Sequence, residues 1–392
     1  MKIIYYCQHV LGMGHYFRSL EICRAFSGHD VILVSGGMSM DAVVPDHVRE
    51  VALPDLHMDP DFSRFETTAG ASGDIDNVRH IRQRMLQELV MSECPDVFMV
   101  ELFPFGRKAF GFELMPALAA VHEALHRVTW VVCSLRDILV EKKDVQAYED
   151  RVVTLLNRWF DALLIHSDPS LVRLDETFSR IADIRIPVIY TGFVTPHPQP
   201  EDRSAIRRRL GIGDTDTLIV ASAGGGRVGF ALLDAVSRAV QTLANNTVYL
   251  QVLTGPFMEE AEVQTLQKMV SSRIWISRFV PDFPAWLSAA DLSVSMAGYN
   301  TCMNIMAAGV RSLVWPFSQN REQRLRAEKI AAKGGMRILK DTDLKPERLA
   351  ELITQSLSDA VRRECGMNLN GAAYTAEWVD GWIENGDSPH VS

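Results

Sequence analysis

The chain has 392 residues, with 49 acidic and 40 basic side chains and a formal net charge of −9. That length exceeds one ordinary hydrophobic core and favours two domains. The acidic balance excludes nonspecific nucleic-acid binding through the whole surface, although local basic patches remain open. Six cysteines (Cys7, Cys23, Cys94, Cys133, Cys302 and Cys365) form no C-x-x-C pair and read as reduced core residues. No apolar run approaches the length of a membrane span, and the first one ends at Cys7 without a cleavage site. The expectation is a cytoplasmic protein, with peripheral contact at the inner membrane face left open.

In chain order, Lys2 to Cys7 reads as a strand, followed by the turn Gly12-Met13-Gly14-His15 and a helical pattern from Tyr16. A glycine turn between strand and helix lets backbone approach a ligand, and the helix start attracts anions. The competing account is tight packing of helix on sheet. Val31 to Ser35 is the next strand, and Leu56 to Arg79 is a long polar segment. Asp59-Pro60-Asp61 within it, near His57, has the look of a metal-binding pair but follows no strand, so it reads as a solvated acidic loop. Val97 to Glu101 is a strand, after which Phe103, Phe105, Phe110 and Phe112 interleave with Arg107 and Lys108. Such a stretch either rests on an anionic lipid surface or a lipid-linked acceptor, or covers the sheet end as a buried aromatic loop. Strands at Val128 to Cys133 and Ala162 to His166 complete a strand–helix alternation that predicts a parallel, doubly wound α/β sheet. The proline-rich stretch Thr195 to Pro200 then reads as a linker.

The pattern restarts with strands Thr217 to Ser222, Thr247 to Thr254, Ile274 to Ile276, Leu292 to Ser295 and Ser312 to Val314. Gly224-Gly225-Gly226, followed by Arg227, is a second glycine turn after a strand. Ala297-Gly298-Tyr299-Asn300-Thr301 opens a helix that ends at Ala308-Gly309, and offers the N–H groups and hydroxyl that a diphosphate needs. Asn304, one turn after Asn300, is placed to meet a sugar hydroxyl. A last helix spans Tyr374 to Ile383, before a polar tail from Asn385 to Ser392. The expected domains are 1–195, 196–370, and a helix and tail at 371–392 that pack back on the first domain. Ligands of two such domains bind at carboxyl ends of strands, so both glycine turns are expected to face one cleft.

The strand, the G-x-x-T helix start, Ala307-Ala308-Gly309, Trp315-Pro316-Phe317 and Glu322-Gln323 together resemble the donor half of GT-B glycosyltransferases. The likeness is greatest to the MurG family of peptidoglycan N-acetylglucosaminyltransferases, and especially to its uncharacterised bacterial MurG-like relatives. Gly12-x-Gly14-His15 and Ser222 to Gly226 match that family's two glycine loops, and Cys133 to Asp137 falls at its polar cleft loop. The resemblance implies two Rossmann-like domains facing a central cleft. It also implies that Arg278, Phe279 and Val280 bracket a nucleobase. Gly224 to Arg227 and Gly298 to Thr301 would hold the diphosphate, Gln323 would touch the donor sugar, and Ala297 and Glu322 would belong to the same donor-binding set. Gly12, Gly14, Phe103, Phe105 and Arg136 would line the acceptor side. Asn304 stands where MurG enzymes carry a ribose-binding glutamate, and an amide adds no charge to that contact.

The expected reaction is inverting, metal-independent transfer of a hexosyl or N-acetylhexosaminyl group from a nucleotide sugar, UDP-linked above all, to an acceptor hydroxyl. His15 is the favoured base, since imidazole accepts a proton near neutral pH, and Asp137 is its rival. Helix starts and Arg227 take the place of a metal at the leaving diphosphate, so no cofactor is expected. Two alternatives stand beside this. Gly12-x-Gly14-His15-x-x-Arg18-x-Leu20 is also similar to the UDP-sugar hydrolases of pseudaminic acid synthesis, and Asn304 hints at a noncatalytic nucleotide-sugar-binding subunit.

Overall fold

The computed structural model describes residues 1–9, 13–37, 42–58, 64–67, 74–123, 128–140, 142–319, 321–359 and 366–384. The chain divides into two compact units, Met1–Val194 with Met367–Ser392, and Thr195–Gly366. The first boundary falls at the expected proline-rich stretch. The second lies at 366 rather than 370, because residues 367–370 pair with the first unit.

The first unit is built from β1 (Lys2–Gln8), α1 (Gly14–Ala25), β2 (Asp30–Gly36), β3 (Val48–Ala52), β4 (His57–Met58), β5 (Phe65–Glu66), α2 (Ile75–Glu93), β6 (Val97–Glu101), α3 (Gly111–Glu123), β7 (Trp130–Arg136), α4 (Val145–Trp159), β8 (Ala162–His166) and β9 (Val188–Tyr190). Seven of these strands form a parallel sheet in the order β3-β2-β1-β6-β7-β8-β9. Its central strands are apolar on both faces because both are covered. Ile4 and Tyr6 enter one core with Phe98, Val100 and Val131, while Ile3, Tyr5 and Cys7 enter another with Leu20, Met99 and Val132.

The edge strands β3 and β9 escape the sequence pattern. Val48-Arg49-Glu50-Val51-Ala52 buries only its first residue and so lacks the apolar run that marks a central strand, while β9 is apolar but only three residues long and half-buried throughout. Within the polar segment from Leu56, β4 pairs antiparallel with β5, and α2 begins at Ile75. Asp59, Pro60 and Asp61 lie outside the described residues, as do Gly12, Cys365 and the tail from Asn385. The other five cysteines are free thiols, four of them buried.

The second unit contains α5 (Asp202–Leu210), β10 (Thr217–Ser222), α6 (Phe230–Thr242), β11 (Val248–Leu253), α7 (Glu260–Gln267), β12 (Ile274–Ser277), α8 (Phe283–Ala289), β13 (Leu292–Met296), α9 (Tyr299–Ala308), β14 (Arg311–Trp315), α10 (Arg321–Ala332), β15 (Arg337–Ile338) and α11 (Pro346–Ser358). The six strands are parallel, in the order β12-β11-β10-β13-β14-β15. Arg203 and Arg207 on α5 pin Asp291, just before β13, at 2.9 and 3.3 Å, and Asp291 also accepts from the Leu218 amide at 2.9 Å.

The last helix, α12 (Gly371–Glu384), belongs to the first unit. Ala376 and Val379 enter the core beside α1, His29 Nε2 meets Asp380 at 2.9 Å, and the Trp382 ring lies 4.2 Å from that of Trp130. Its start is fastened by a β-bridge between Val194 and Asn370 and by the Gly371 amide donating to Phe193 O at 2.9 Å. A Cβ on Gly371 would stand 2.3 Å from Gly192 O, whereas one on Gly381 would meet nothing within 4 Å. Gly371→Ala is therefore expected to destabilise the chain by about 1–3 kcal/mol. Gly381→Ala is expected to be neutral or stabilising by up to about 1 kcal/mol. Urea unfolding of the two variants tests both signs.

Candidate active site

Parallel sheets bind ligands beyond the carboxyl ends of two neighbouring strands whose crossovers leave in opposite directions. The strand orders put that point between β1 and β6 in the first unit and between β10 and β13 in the second.

In the first unit, α1 begins at Gly14, two residues before the expected start, and so carries His15 in its first turn. Glu101 ends β6, paired in register with Ser134 on β7, and is wholly buried. His15 Nδ1 stands 2.6 Å from Glu101 Oε1. Arg18, one turn further along α1 and 3 % exposed, donates to the same oxygen. A contact that short to a carboxylate requires the proton on Nδ1, so Arg18 Nη2, 3.2 Å from that nitrogen, bonds to Glu101 rather than to the ring. The Nε2 lone pair is left to accept a proton.

Burial, opposed by the Glu101 charge and assisted by Arg107 and Arg18, lowers the His15 pKa to about 3. Burial also favours the neutral acid at Glu101, but the attraction of His15, Arg18 and Arg107 outweighs it and holds this carboxyl below the usual range. Near neutral pH the group is thus a carboxylate, a guanidinium and a neutral imidazole. Sequence reasoning missed Glu101 and Arg18 as site residues. A lone acid ending an apolar strand was the available signal.

On the same part of the sheet a second buried histidine is held in line. Tyr5 OH lies 2.7 Å from Ser134 Oγ, Ser134 Oγ lies 2.7 Å from His166 Nε2, and His166 Nδ1 lies 2.8 Å from Thr191 Oγ1. Burial, together with the Arg18 charge, lowers the His166 pKa to about 3.

Three expectations for the first unit change. Asp137, just beyond β7, has 0 % exposure, so an acceptor hydroxyl does not reach it. Phe103 and Phe105 are 2 % exposed and belong to the core, against Phe160 and Phe178, so they line no acceptor surface. Their rings satisfy the sheet end, and the lipid-contact reading of this loop loses its aromatic part. Gly14 and Arg136 do lie at the carboxyl end, at the start of α1 and the end of β7.

In the second unit the loop after β10 and the start of α9 converge. Gly224 has a φ of +64° and Gly226 one of +91°, and a Cβ on Gly226 would stand 2.4 Å from Thr254 O. The turn is therefore locked against the loop after β11, with the Phe257 amide donating to Gly225 O at 3.0 Å. Thr301 Oγ1 lies 3.9 Å from where a Cβ on Gly224 would be and 3.8 Å from the equivalent point on Gly298. The helix starts on Gly298 with no side-chain cap, and first-turn amides have no acceptor inside a helix. A glycine turn, a hydroxyl and a helix start in one place suit a phosphate group. Arg227 is exposed at the end of the turn, its guanidinium 5.7 Å from the Phe257 ring centre.

Other expected donor residues are occupied structurally. The Arg278 guanidinium holds Glu260 and the carbonyl of Met258 at 3.3 Å, and Val280 is buried, which leaves Phe279 exposed at 40 %. Asn304 Oδ1 accepts from Thr195 Oγ1 at 2.7 Å, so a sugar would find only its amide N–H groups. Glu322 pairs with Arg326 at 3.2 Å, and Gln323 Oε1 accepts from the Phe317 amide at 3.2 Å. Ala297 and Tyr299 are buried, with Arg326 5.3 Å above the tyrosine ring.

His15, partly buried, and His166, fully buried, are both held neutral, so the unfolded chain binds more protons than the folded one between about pH 3 and 6.5. Their contribution to stability is complete above pH 6.5 and is lost as pH falls toward 3. The depressed carboxyl of Glu101 acts in the same direction. The melting temperature is expected to fall between pH 6.5 and 4, more gently in His166→Gln. Calorimetric scans across that range check it.

Residues 220–372 match the model of the glycosyltransferase family 28 C-terminal domain. A "UDP-N-acetylglucosamine--N-acetylmuramyl-(pentapeptide) pyrophosphoryl-undecaprenol N-acetylglucosamine transferase" of Xanthomonas euvesicatoria is 31% identical over 181 residues, covering 45% of this chain and 39% of that one. An uncharacterised glycosyltransferase of Methanopyrus kandleri is 21% identical over 241 residues, covering 60% and 67%. The chain thus spans roughly two-fifths of the length of the first of these relatives. Among solved structures, MurG of Acinetobacter baumannii superposes with a TM-score of 0.57 at 15% identity, covering 97% of this chain and 100% of that one. The calicheamicin glycosyltransferase gives 0.59 at 15%, covering 97% and 98%. With two parallel-sheet units and a match to the family 28 C-terminal domain over residues 220–372, the chain has the GT-B glycosyltransferase fold and is similar to MurG proteins.

Proposed function

We propose that this protein transfers a sugar from a nucleoside diphosphate sugar, UDP-linked, to an acceptor hydroxyl, with inversion and without a metal ion. The observation that carries the reading is a neutral, carboxylate-oriented imidazole in a chain whose other unit has a family 28 C-terminal domain. His15 Nε2 takes the hydroxyl proton as the acceptor oxygen forms its bond to the anomeric carbon. The bond from that carbon to the diphosphate breaks, and the nucleoside diphosphate leaves with the electron pair. One displacement inverts the centre. Glu101 fixes the reactive tautomer and stabilises the imidazolium as it forms. The Gly224 turn, the start of α9, Thr301 and Arg227 receive the charge that grows on the diphosphate, the task a metal performs elsewhere.

The names of the curated relatives specify a pyrophosphoryl-undecaprenol acceptor, so lipid-linked acceptors are the first to try. Among the described residues no helix is long and apolar enough to cross a membrane.

UDP release from a panel of UDP-sugars is expected only when acceptor is present, and is expected to be unchanged by EDTA. His15→Gln should lower kcat by about 10²–10⁴-fold, with UDP affinity by calorimetry within about twofold of wild type. Sugar release without acceptor would establish a hydrolase, and nucleotide binding without turnover across acceptors would establish a binding subunit. Either outcome overturns the proposal. Full activity in His15→Gln would remove His15 as the base.

A further inference from the structure

The loop after β6 holds a cation that the reaction as described does not use. Two left-handed residues bracket it, Leu102 at a φ of 67° and Arg107 at 56°, and the Gly106 amide closes it onto Leu102 O at 2.8 Å. Non-glycine residues in that region are strained, and such strain persists where surroundings impose it. Here the surroundings are Phe103 and Phe105, sunk in the core, and Tyr148 and Arg151 of α4, which donate to the carbonyls of Phe105 at 2.9 Å and Pro104 at 3.1 Å. The aromatic residues that alternate with cations in the sequence are therefore anchors. What they place is Arg107, directly beyond the carboxyl end of β6 and Glu101.

Among the described residues the Arg107 guanidinium has no hydrogen bond and no ion pair, and its Nε is buried without a partner. Glu101 is close enough to attract it, but Glu101 Oε1 is taken by His15 and Arg18, and the buried Oε2 has no partner. Arg136, at the end of β7, repels it. Burial, opposed by the Glu101 charge and assisted by Arg136, lowers the Arg107 pKa. A guanidinium has five donors in a planar fork that matches carboxylate and phosphate oxygens. Keeping one largely out of water, beside a second guanidinium and without an acceptor, is costly unless an anion completes it. Arg107 also lies within electrostatic reach of His15.

We propose that Arg107, supported by Arg136, binds an anionic substituent of the acceptor, a phosphoryl or carboxylate group, next to the hydroxyl that His15 deprotonates. The proposal rests on the transferase reading for the role of that hydroxyl. The anion site itself stands on the loop geometry. Arg107 is then a specificity residue: neutral acceptors leave it desolvated and unpaired and are disfavoured.

The test uses the full chain in saturating UDP, so that the phosphate-binding turn of the second unit is filled. Inorganic phosphate and acetate are titrated while thermal shift and the His15 Cε1–Hε1 NMR signal are followed at pH 7. Wild type is expected to be stabilised by one of the anions, with a concomitant shift of the His15 signal. Arg107→Met should weaken that response by at least about tenfold and abolish the His15 shift. Arg107→Lys, which keeps the charge without the fork and guards against misfolding of the first variant, should weaken it by about threefold. A stronger response to phosphate assigns a phosphoryl group, and a stronger response to acetate assigns a carboxylate. No response in wild type, or an undiminished response in both variants, overturns the proposal. If UDP alone gives no thermal shift, the nucleotide-sugar reading fails, and the anion titration without UDP still reads Arg107.

Discussion

Parallel strands cannot be joined by tight turns, so each must be followed by a crossover that lies on one face of the sheet. Everything chemical in this protein depends on where those crossovers change direction. After β1 the chain winds toward β2 and β3, and from β6 it winds the other way. The carboxyl ends of β1 and β6 are consequently left without a covering connection. The same reversal recurs at β10 and β13. His15, Glu101, Arg107, the Gly224 turn and the start of α9 all stand at one or other of these reversals, which makes each unit a scaffold with a single privileged edge.

At these edges charge is buried only in company. Glu101 is paired with Arg18 and hydrogen-bonded to His15, much as Arg82 is enclosed by Glu113 at 2.7 Å, Gln8 at 2.6 Å and Pro54 O at 2.7 Å elsewhere in the first unit. The second network is closed, with Tyr6 donating to Glu113, and it holds α2 and the segment after β3 to the sheet. The first is not closed: among the described residues, Glu101 Oε2 and the Arg107 guanidinium have no partner. Complete networks specify structure, and an incomplete one of the same kind is where a ligand has something to add.

The fate of the aromatic loop illustrates how a motif changes meaning once folded. Phe103 and Phe105, followed by Gly106 and the cations Arg107 and Lys108, form a pattern equally suited to lipid contact and to burial. Packing against Phe160 and Phe178 decides for burial. Asn304 is a parallel case. Its spacing from Asn300 puts the two on one face of α9, where a sugar contact is expected, but Thr195, distant in sequence, claims its oxygen. Gln323 and Glu322 are likewise drawn into a hydrogen bond from the Phe317 amide and an ion pair with Arg326.

Local patterning settled the alternation of strand and helix, the glycine turn after β10, the helix from Gly298 to Gly309 and the division near Thr195. These depend on contacts between near neighbours in the chain and on the period of apolar residues, which a sequence displays directly. Edge strands such as β3 were not legible because only one of their sides is constrained. The partnership of His15 with Glu101, 86 residues apart, was not legible either. Strand order brought these residues together, and strand order is set by the packing of whole layers rather than by any residue's own preference. The sequence alone thus determined which side chains were available for chemistry. Only the tertiary structure decided which of them were free to perform it, because burial and long-range hydrogen bonds assign each polar group either to the fold or to a ligand.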